Sequence, residues 1–149
     1  MNYKTETKDG YEIRTYNEGT KVWYKDGERH REDGPAVKWA DGSKEWYMNG
    51  RLHREDGPAV KWVDGSKEWY KNGNRHREDG PAVERADGSK EWYKNGRLHR
   101  EDGPAVKWAD GRKGWYLEGV PYSEDEWRAH PLVKRCKLLK KINELQDRD

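Results

Sequence analysis

The chain has no phenylalanine, two methionines and one cysteine, and only 31% of its 149 residues are hydrophobic. The lone Cys136 excludes an internal disulfide and suits a reducing compartment. No apolar run approaches the roughly 20 residues of a membrane-spanning helix, so membrane insertion is not expected. The opening residues (MNYKTETKDGYEIRTY) are polar, no secretory leader is expected, and the expected location is the cytoplasm. A strong charge of one sign is missing too. Thirty-one basic and 29 acidic residues leave a net charge of +2, which removes the electrostatic case for nucleic acid.

What is present is unusual in a different way. Charged residues make up 40% of the chain, a composition that by itself suggests disorder. Nine tryptophans and nine tyrosines oppose that reading, and they recur at a fixed step. Trp23, Trp46, Trp69, Trp92 and Trp115 are 23 residues apart, as are His30, His53, His76 and His99. HREDGPAV stands unchanged at 30–37, 53–60, 76–83 and 99–106. A period of this size marks an array in which each unit is stable beside its neighbours. About five units are expected: a degenerate one from near Tyr11, three full ones from Gly34, and a fifth truncated after Tyr116.

Each unit reads as paired strands. Asp41-Gly42 predicts a two-residue hairpin turn, which sets Lys38 against Glu45, Val37 against Trp46 and Ala36 against Tyr47. Asn49-Gly50 predicts a second tight turn, with Tyr47 facing Leu52 and Trp46 facing His53. Alternation then puts Val37, Trp39, Trp46 and His53 on one face, and Ala36, Tyr47 and Leu52 on the other. In Asp-Gly-Pro, Asp33 is expected to accept backbone N–H groups two residues on. Gly34 is expected to take unusual dihedrals and Pro35 to open the next strand. Arg31 and Glu32 are read as solvated or paired with the next unit. The fold class is therefore mainly β: an elongated, single-layer antiparallel sheet of about five β-hairpin repeats over 1–122, closed by a helical segment over 123–149.

After Tyr116 the pattern changes. Ser123 and Glu126 form a capping box, a short helix runs to His130, and Pro131 opens a second helix to about residue 146. Leu132, Cys136, Leu139 and Ile142 make its apolar stripe, with Leu138 and Leu145 beside it, against a basic side of Lys134, Arg135, Lys137, Lys140 and Lys141. A cap over the open end of the array is the expected role, ahead of a partner-binding helix.

Units of the form D-G-x-x-x-W-Y-x-N-G-x-x-H, from Asp41 to His53, Asp64 to His76 and Asp87 to His99, resemble MORN-type and MORN-variant β-hairpin repeats. HREDGPAV resembles a subgroup of these seen in viral and bacterial proteins. The resemblance covers about residues 11–122. It implies an elongated single-layer sheet acting as a scaffold for proteins or lipid head groups. Some bacterial relatives are antitoxin-like, and a viral member would block a host factor in the host cytoplasm. The usual glycines after the aromatic are replaced here by Lys or Met after Trp-Tyr, which speaks against the lipid role.

Four identical His-Arg-Glu-Asp blocks could suggest a metal row, but no unit holds two histidines or a Cys–His pair. The histidines read as structural, stacked beside the cross-strand Trp and bonded to a carboxylate or backbone group. No cofactor, metal or catalytic residue is expected, since repeated identical copies on an open sheet offer no asymmetric pocket. The informative position is Arg85, which stands where neighbouring units carry Trp39, Trp62 and Trp108. Flanked by Trp69 and Trp92, with His76, His99, Tyr70 and Tyr93 nearby, it is the candidate binding site. Two functions follow. One is a protein-binding scaffold whose Trp, Tyr and Arg surface occludes a partner, as an inhibitor or antitoxin does. The other is a binder of an anionic, nucleotide-like small ligand at Arg85. The oligomeric state, monomer or dimer, stays open.

Overall fold

The computed structural model describes residues 2–148. A 13-stranded antiparallel sheet runs through the chain in sequence order, with three two-stranded hairpins beside it and two helices at the C-terminal end. The repeating hairpins and the closing helical segment agree with the sequence reading. At the N-terminal end the sheet begins one hairpin earlier than expected. Tyr3–Lys8 pairs with Tyr11–Tyr16 around Asp9-Gly10, whose φ angles of 52° and 82° make a tight turn. Threonines alternating with charged residues in 3–8 carry that strand without an apolar face of its own.

Each unit contributes two strands to the main sheet, such as Val37–Lys38 and Lys44–Glu45, and a side hairpin, Tyr47–Met48 with Arg51–Leu52. The Asn49-Gly50 turn forms as expected, with φ angles of 49° and 76° and Tyr47 opposite Leu52. The first turn does not. Val37 lies opposite Glu45 and Lys38 opposite Lys44, a shift of one residue from the predicted register. The cause is the loop. Gly42 has a positive φ of 95° while Asp41 does not, so the mirror-image two-residue turn is replaced by a three-residue loop, 40–42. Trp39 N–H donates to the Ser43 carbonyl at 2.9 Å, and Ser43 N–H donates to Asp41 Oδ1 at 2.8 Å.

That single step reassigns the faces, because the side-chain period of a strand is two. Val37, Trp39, Ser43, Glu45 and Tyr47 share one face. Ala36, Lys38, Lys44, Trp46 and His53 share the other. The predicted grouping of Val37 with Trp46 is thereby overturned. On the first face a file crosses the sheet as Val22–Val37–Glu45–Val60–Glu68–Val83–Glu91–Val106–Gly114. All five valines are buried. Gly114 ends the file because a Cβ there would meet Tyr116 at 2.9 Å and Trp108 at 3.2 Å.

HREDGPAV is the joint between units. His30 Nδ1 accepts the N–H of Asn49 in the next turn at 3.0 Å, and His53, His76 and His99 do the same for residues 72, 95 and 118. A backbone N–H only donates, so Nδ1 carries the lone pair and Nε2 the proton, directed at Glu32, Glu55 and Glu78. The arginine, expected to be solvated or paired with the next unit, is folded inward. Arg31 lies 4.2 Å from the Trp23 ring centroid while donating to Asp33 and to the Pro35 carbonyl. Arg54, Arg77 and Arg100 repeat this over Trp46, Trp69 and Trp92 at 3.9–4.0 Å. The guanidinium also explains the glycine. Gly34 has no positive φ; a Cβ there would sit 3.1 Å from Arg31 Cζ. Asp33 serves Arg31, not a backbone N–H two residues on.

The far end of each unit has a second tie. Thr20, Ser43, Ser66 and Ser89 accept through their hydroxyl oxygens from the N–H of residues 40, 63, 86 and 109 in the next turn at 2.9–3.2 Å. Arg112 holds the fifth position, where no further unit follows.

Helix α1 (Glu124–Ala129) has the predicted capping box in full, and α2 (Pro131–Gln146) starts at Pro131 with His130 as N-cap. Trp127 packs with Leu117 and Val133, its ring centroid 4.6 Å from that of Trp115, and its Nε1 donates to the Arg100 carbonyl at 3.0 Å. It takes the place over Trp115 that an arginine takes over Trp23, Trp46, Trp69 and Trp92. The predicted stripe of α2 is only partly used. Val133 is its buried residue, and Leu138, Leu139, Ile142 and Leu145 are exposed. The end of a one-layer sheet is narrow, so only the first turns of α2 find something to cover.

Candidate functional site

The new register separates the predicted site residues. Arg85, Tyr70 and Tyr93 lie on the valine face. Trp69, Trp92, His76 and His99 lie on the opposite one. Arg85 is therefore not flanked by Trp69 and Trp92, whose rings are covered by Arg77 and Arg100. Its Nη2 and Nε donate to Glu91 Oε1 at 2.7 and 3.2 Å. Trp39 Nε1 and Trp62 Nε1 make the same bond to Glu45 and Glu68, at 3.0 and 3.3 Å. Arg85 thus replaces an indole N–H with a guanidinium and keeps the acceptor. Tyr70 and Tyr93 donate to the other oxygens of Glu68 and Glu91 at 2.8 and 3.0 Å. Burial raises both phenol pKa values above the ordinary value, and the neighbouring carboxylates add to the effect.

What this face presents outward is a straight row of Trp39, Trp62, Arg85 and Trp108. The three indoles are 38%, 40% and 39% exposed, and those of Trp39 and Trp62 are tied through their N–H to Glu45 and Glu68. With two strands per unit, the row repeats about every 10 Å. Large aromatics held rigid yet open to solvent, with an arginine in line, are the ingredients of an interaction surface.

The opposite face carries a charge pattern hidden by the near-neutral net charge. Direct cross-strand pairing puts Lys21, Lys38, Lys44, Lys61 and Lys67 in one unbroken file, continued after Glu84 by Lys90, Lys107 and Lys113. All eight lysines are exposed. Among the described residues the lysines in ion pairs are Lys25, Lys94 and Lys140, none of them in the file. Lys38, Lys61 and Lys107 lie 5.6–5.7 Å from the centroids of Trp23, Trp46 and Trp92. Glu84, which interrupts the file, is bound by Arg77 at 3.2 Å.

Beside the lysines and the roofed tryptophans run the acidic corners, Glu32-Asp33, Glu55-Asp56, Glu78-Asp79 and Glu101-Asp102. Open grooves of about 760, 590 and 510 Å³ lie between successive corners. Their Trp floors are already stacked under arginine, which leaves no free aromatic face for a planar ligand. The guanidiniums hold Asp33 and Asp56 below the usual carboxylate range, and the histidines do so for Glu32 and Glu78. At the fourth corner α2 adds Lys140, 2.8 Å from Asp102. Burial works against the Asp102 charge, and the bonds to Lys140 and Arg100 outweigh it, lowering its pKa.

Among the described residues no three His, Cys, Asp or Glu side chains are grouped to hold a metal ion, and no helix is long and apolar enough to cross a membrane. Three features escaped the sequence reading: the hydroxyl ladder, the Arg-on-Trp stacks and the lysine file. The first two have a visible signal, Ser or Thr and Arg locked to the 23-residue step. The third depends on register alone. No family model matches the chain, and no curated protein matches it in sequence.

Proposed function

We propose that the chain is a non-enzymatic scaffold of the MORN-variant kind that binds a protein partner and covers its active or interaction surface, as an inhibitor or antitoxin does. The observation that supports this is the row Trp39, Trp62, Arg85 and Trp108. It spans the array, its first three members are held by the Glu45, Glu68 and Glu91 acceptors, and it offers residue types that dominate binding energy at protein interfaces. Repetition suits a broad, flat footprint better than a pocket. The alternative, a nucleotide-like ligand at Arg85, loses the aromatic walls it was built on, and the guanidinium there already has a carboxylate partner.

The test uses a tagged chain and a Trp39→Gln/Trp62→Gln/Trp108→Gln variant, in which glutamine keeps an N–H donor for Glu45 and Glu68. Both are checked for fold by circular dichroism and used to capture partners from lysate. A stoichiometric partner retained by the wild type and lost by the variant supports the reading. Equal capture by both, or a melting-temperature rise with nucleotide that Arg85→Ala abolishes, contradicts it.

A further inference from the structure

We infer that the lysine file on the face opposite the tryptophan row is a docking track for an acidic helical segment of a protein. The argument starts from a cost. Like charges directly opposite one another destabilise a sheet. Here Lys21, Lys38, Lys44, Lys61 and Lys67 stand consecutively across five strands, and Lys90, Lys107 and Lys113 across three more. The array contains its own remedy, since Glu84 sits in the same file between Lys67 and Lys90 and is compatible with the fold. Folding therefore does not require lysine at the other positions. Exposed, without carboxylate partners and aligned, the ammonium groups form a narrow positive ridge that an anion of matching shape would relieve.

Shape and surroundings choose the anion. Adjacent strands put the lysines about 4.8 Å apart. A helix with one carboxylate per turn repeats every 5.4 Å. Over four positions the mismatch is about 2 Å, which the flexible lysine stems absorb. An extended strand shows same-side residues only every ~6.7 Å and drifts out of register at each step. Single-stranded nucleic acid would need aromatic faces for its bases, and Trp23, Trp46, Trp69 and Trp92 are roofed by arginines. A broad anionic surface, duplex or membrane, would meet the exposed Glu-Asp corners that run alongside the file. A helix is narrow enough to lie on the ridge alone, and basic residues on its flank would meet those corners, as Lys140 of α2 already meets Asp102. This inference concerns the other face of the sheet and stands or falls independently of the tryptophan row.

The experiment titrates the full chain with an alanine-rich helical peptide carrying glutamate once per turn. The comparators are a same-composition peptide whose glutamates are spread around the helix, and a single-stranded oligonucleotide. Isothermal calorimetry at low and high salt reads the binding. The striped peptide is expected to bind at least tenfold more tightly than the scrambled one, and to weaken with salt. Lys44→Glu/Lys107→Glu, which places a carboxylate between lysines on both sides, should abolish that binding while raising the melting temperature, so lost binding cannot be read as lost fold. The same change of charge made on α2, by Lys137→Glu/Lys141→Glu, should leave it intact. Absence of binding, equal binding of the two peptides, unchanged binding by the Lys44→Glu/Lys107→Glu variant, or tighter Lys-dependent binding of the oligonucleotide would each overturn the inference.

Discussion

At the residue scale, the invariant block is explained by what each side chain touches. Histidine ties one unit to the turn of the next, arginine roofs the preceding tryptophan, and glycine is small because the guanidinium lies on it. Gly57 and Gly103 differ in a way that can be measured. A Cβ would stand 3.1 Å from Arg54 Cζ at the first and 2.7 Å from Arg100 Cζ at the second, where α2 also crowds the corner. Gly103→Ala should cost about 1 kcal/mol, the worth of the displaced Arg–Trp contact, and Gly57→Ala less, as read by thermal melts. Acid acts on the same corners. The carboxyls of Glu32, Asp33, Asp56 and Glu78 have lowered pKa values in the fold. Their contribution is therefore complete above the unfolded values of about 3.9–4.3 and declines as pH falls through and below them. Melting temperature should therefore drop as pH is lowered from about 5 to 3. A flat profile down to pH 3 would show that the corner pairs add nothing.

At the scale of the element, the decisive event is the loop after Trp39. Its extra residue moves the pairing by one, buries Val37 beside Glu45, and lines up the lysines. Because that file is repulsive, salt should stabilise the wild-type array, raising its melting temperature, and the gain should shrink in Lys44→Glu. Most of the strands, the Asn-Gly turns and the capped helices were legible from hydrophobic and aromatic spacing and from turn and cap residues. The register was not. Asp-Gly suits both a two-residue turn and the end of a three-residue loop, and the attractive match of Lys38 with Glu45 favoured the wrong choice. What tips the balance is cooperative. Ser43 must reach residue 63 in the next unit, a contact that no single hairpin reveals. The candidate site inherits the error: Arg85 breaks the sequence pattern, but Trp69, Trp92, His76 and His99 lie on the face opposite to it.

At the scale of the whole molecule, each unit is tied to the next by a histidine at one end, a hydroxyl at the other, and an Arg–Trp stack between, so stability spreads from neighbour to neighbour. The array ends where α1 delivers Trp127 onto Trp115 in place of the missing arginine. Trp127→Ala should cost about 3–5 kcal/mol at that end. Hydrogen exchange should then show loss of protection in 113–122 and α1, with the strands of the first two units spared. Uniform loss along the sheet would mean the array unfolds as one block.

Both proposed surfaces depend on the register that sets the tryptophan row and the lysine file on opposite faces. The most direct test is cross-strand disulfide trapping in a Cys136→Ser background. Lys38→Cys/Lys44→Cys should oxidise readily to an intramolecular bond, and Lys38→Cys/Glu45→Cys should not. The reverse outcome would return Val37 to Trp46, merge the faces, and contradict the account.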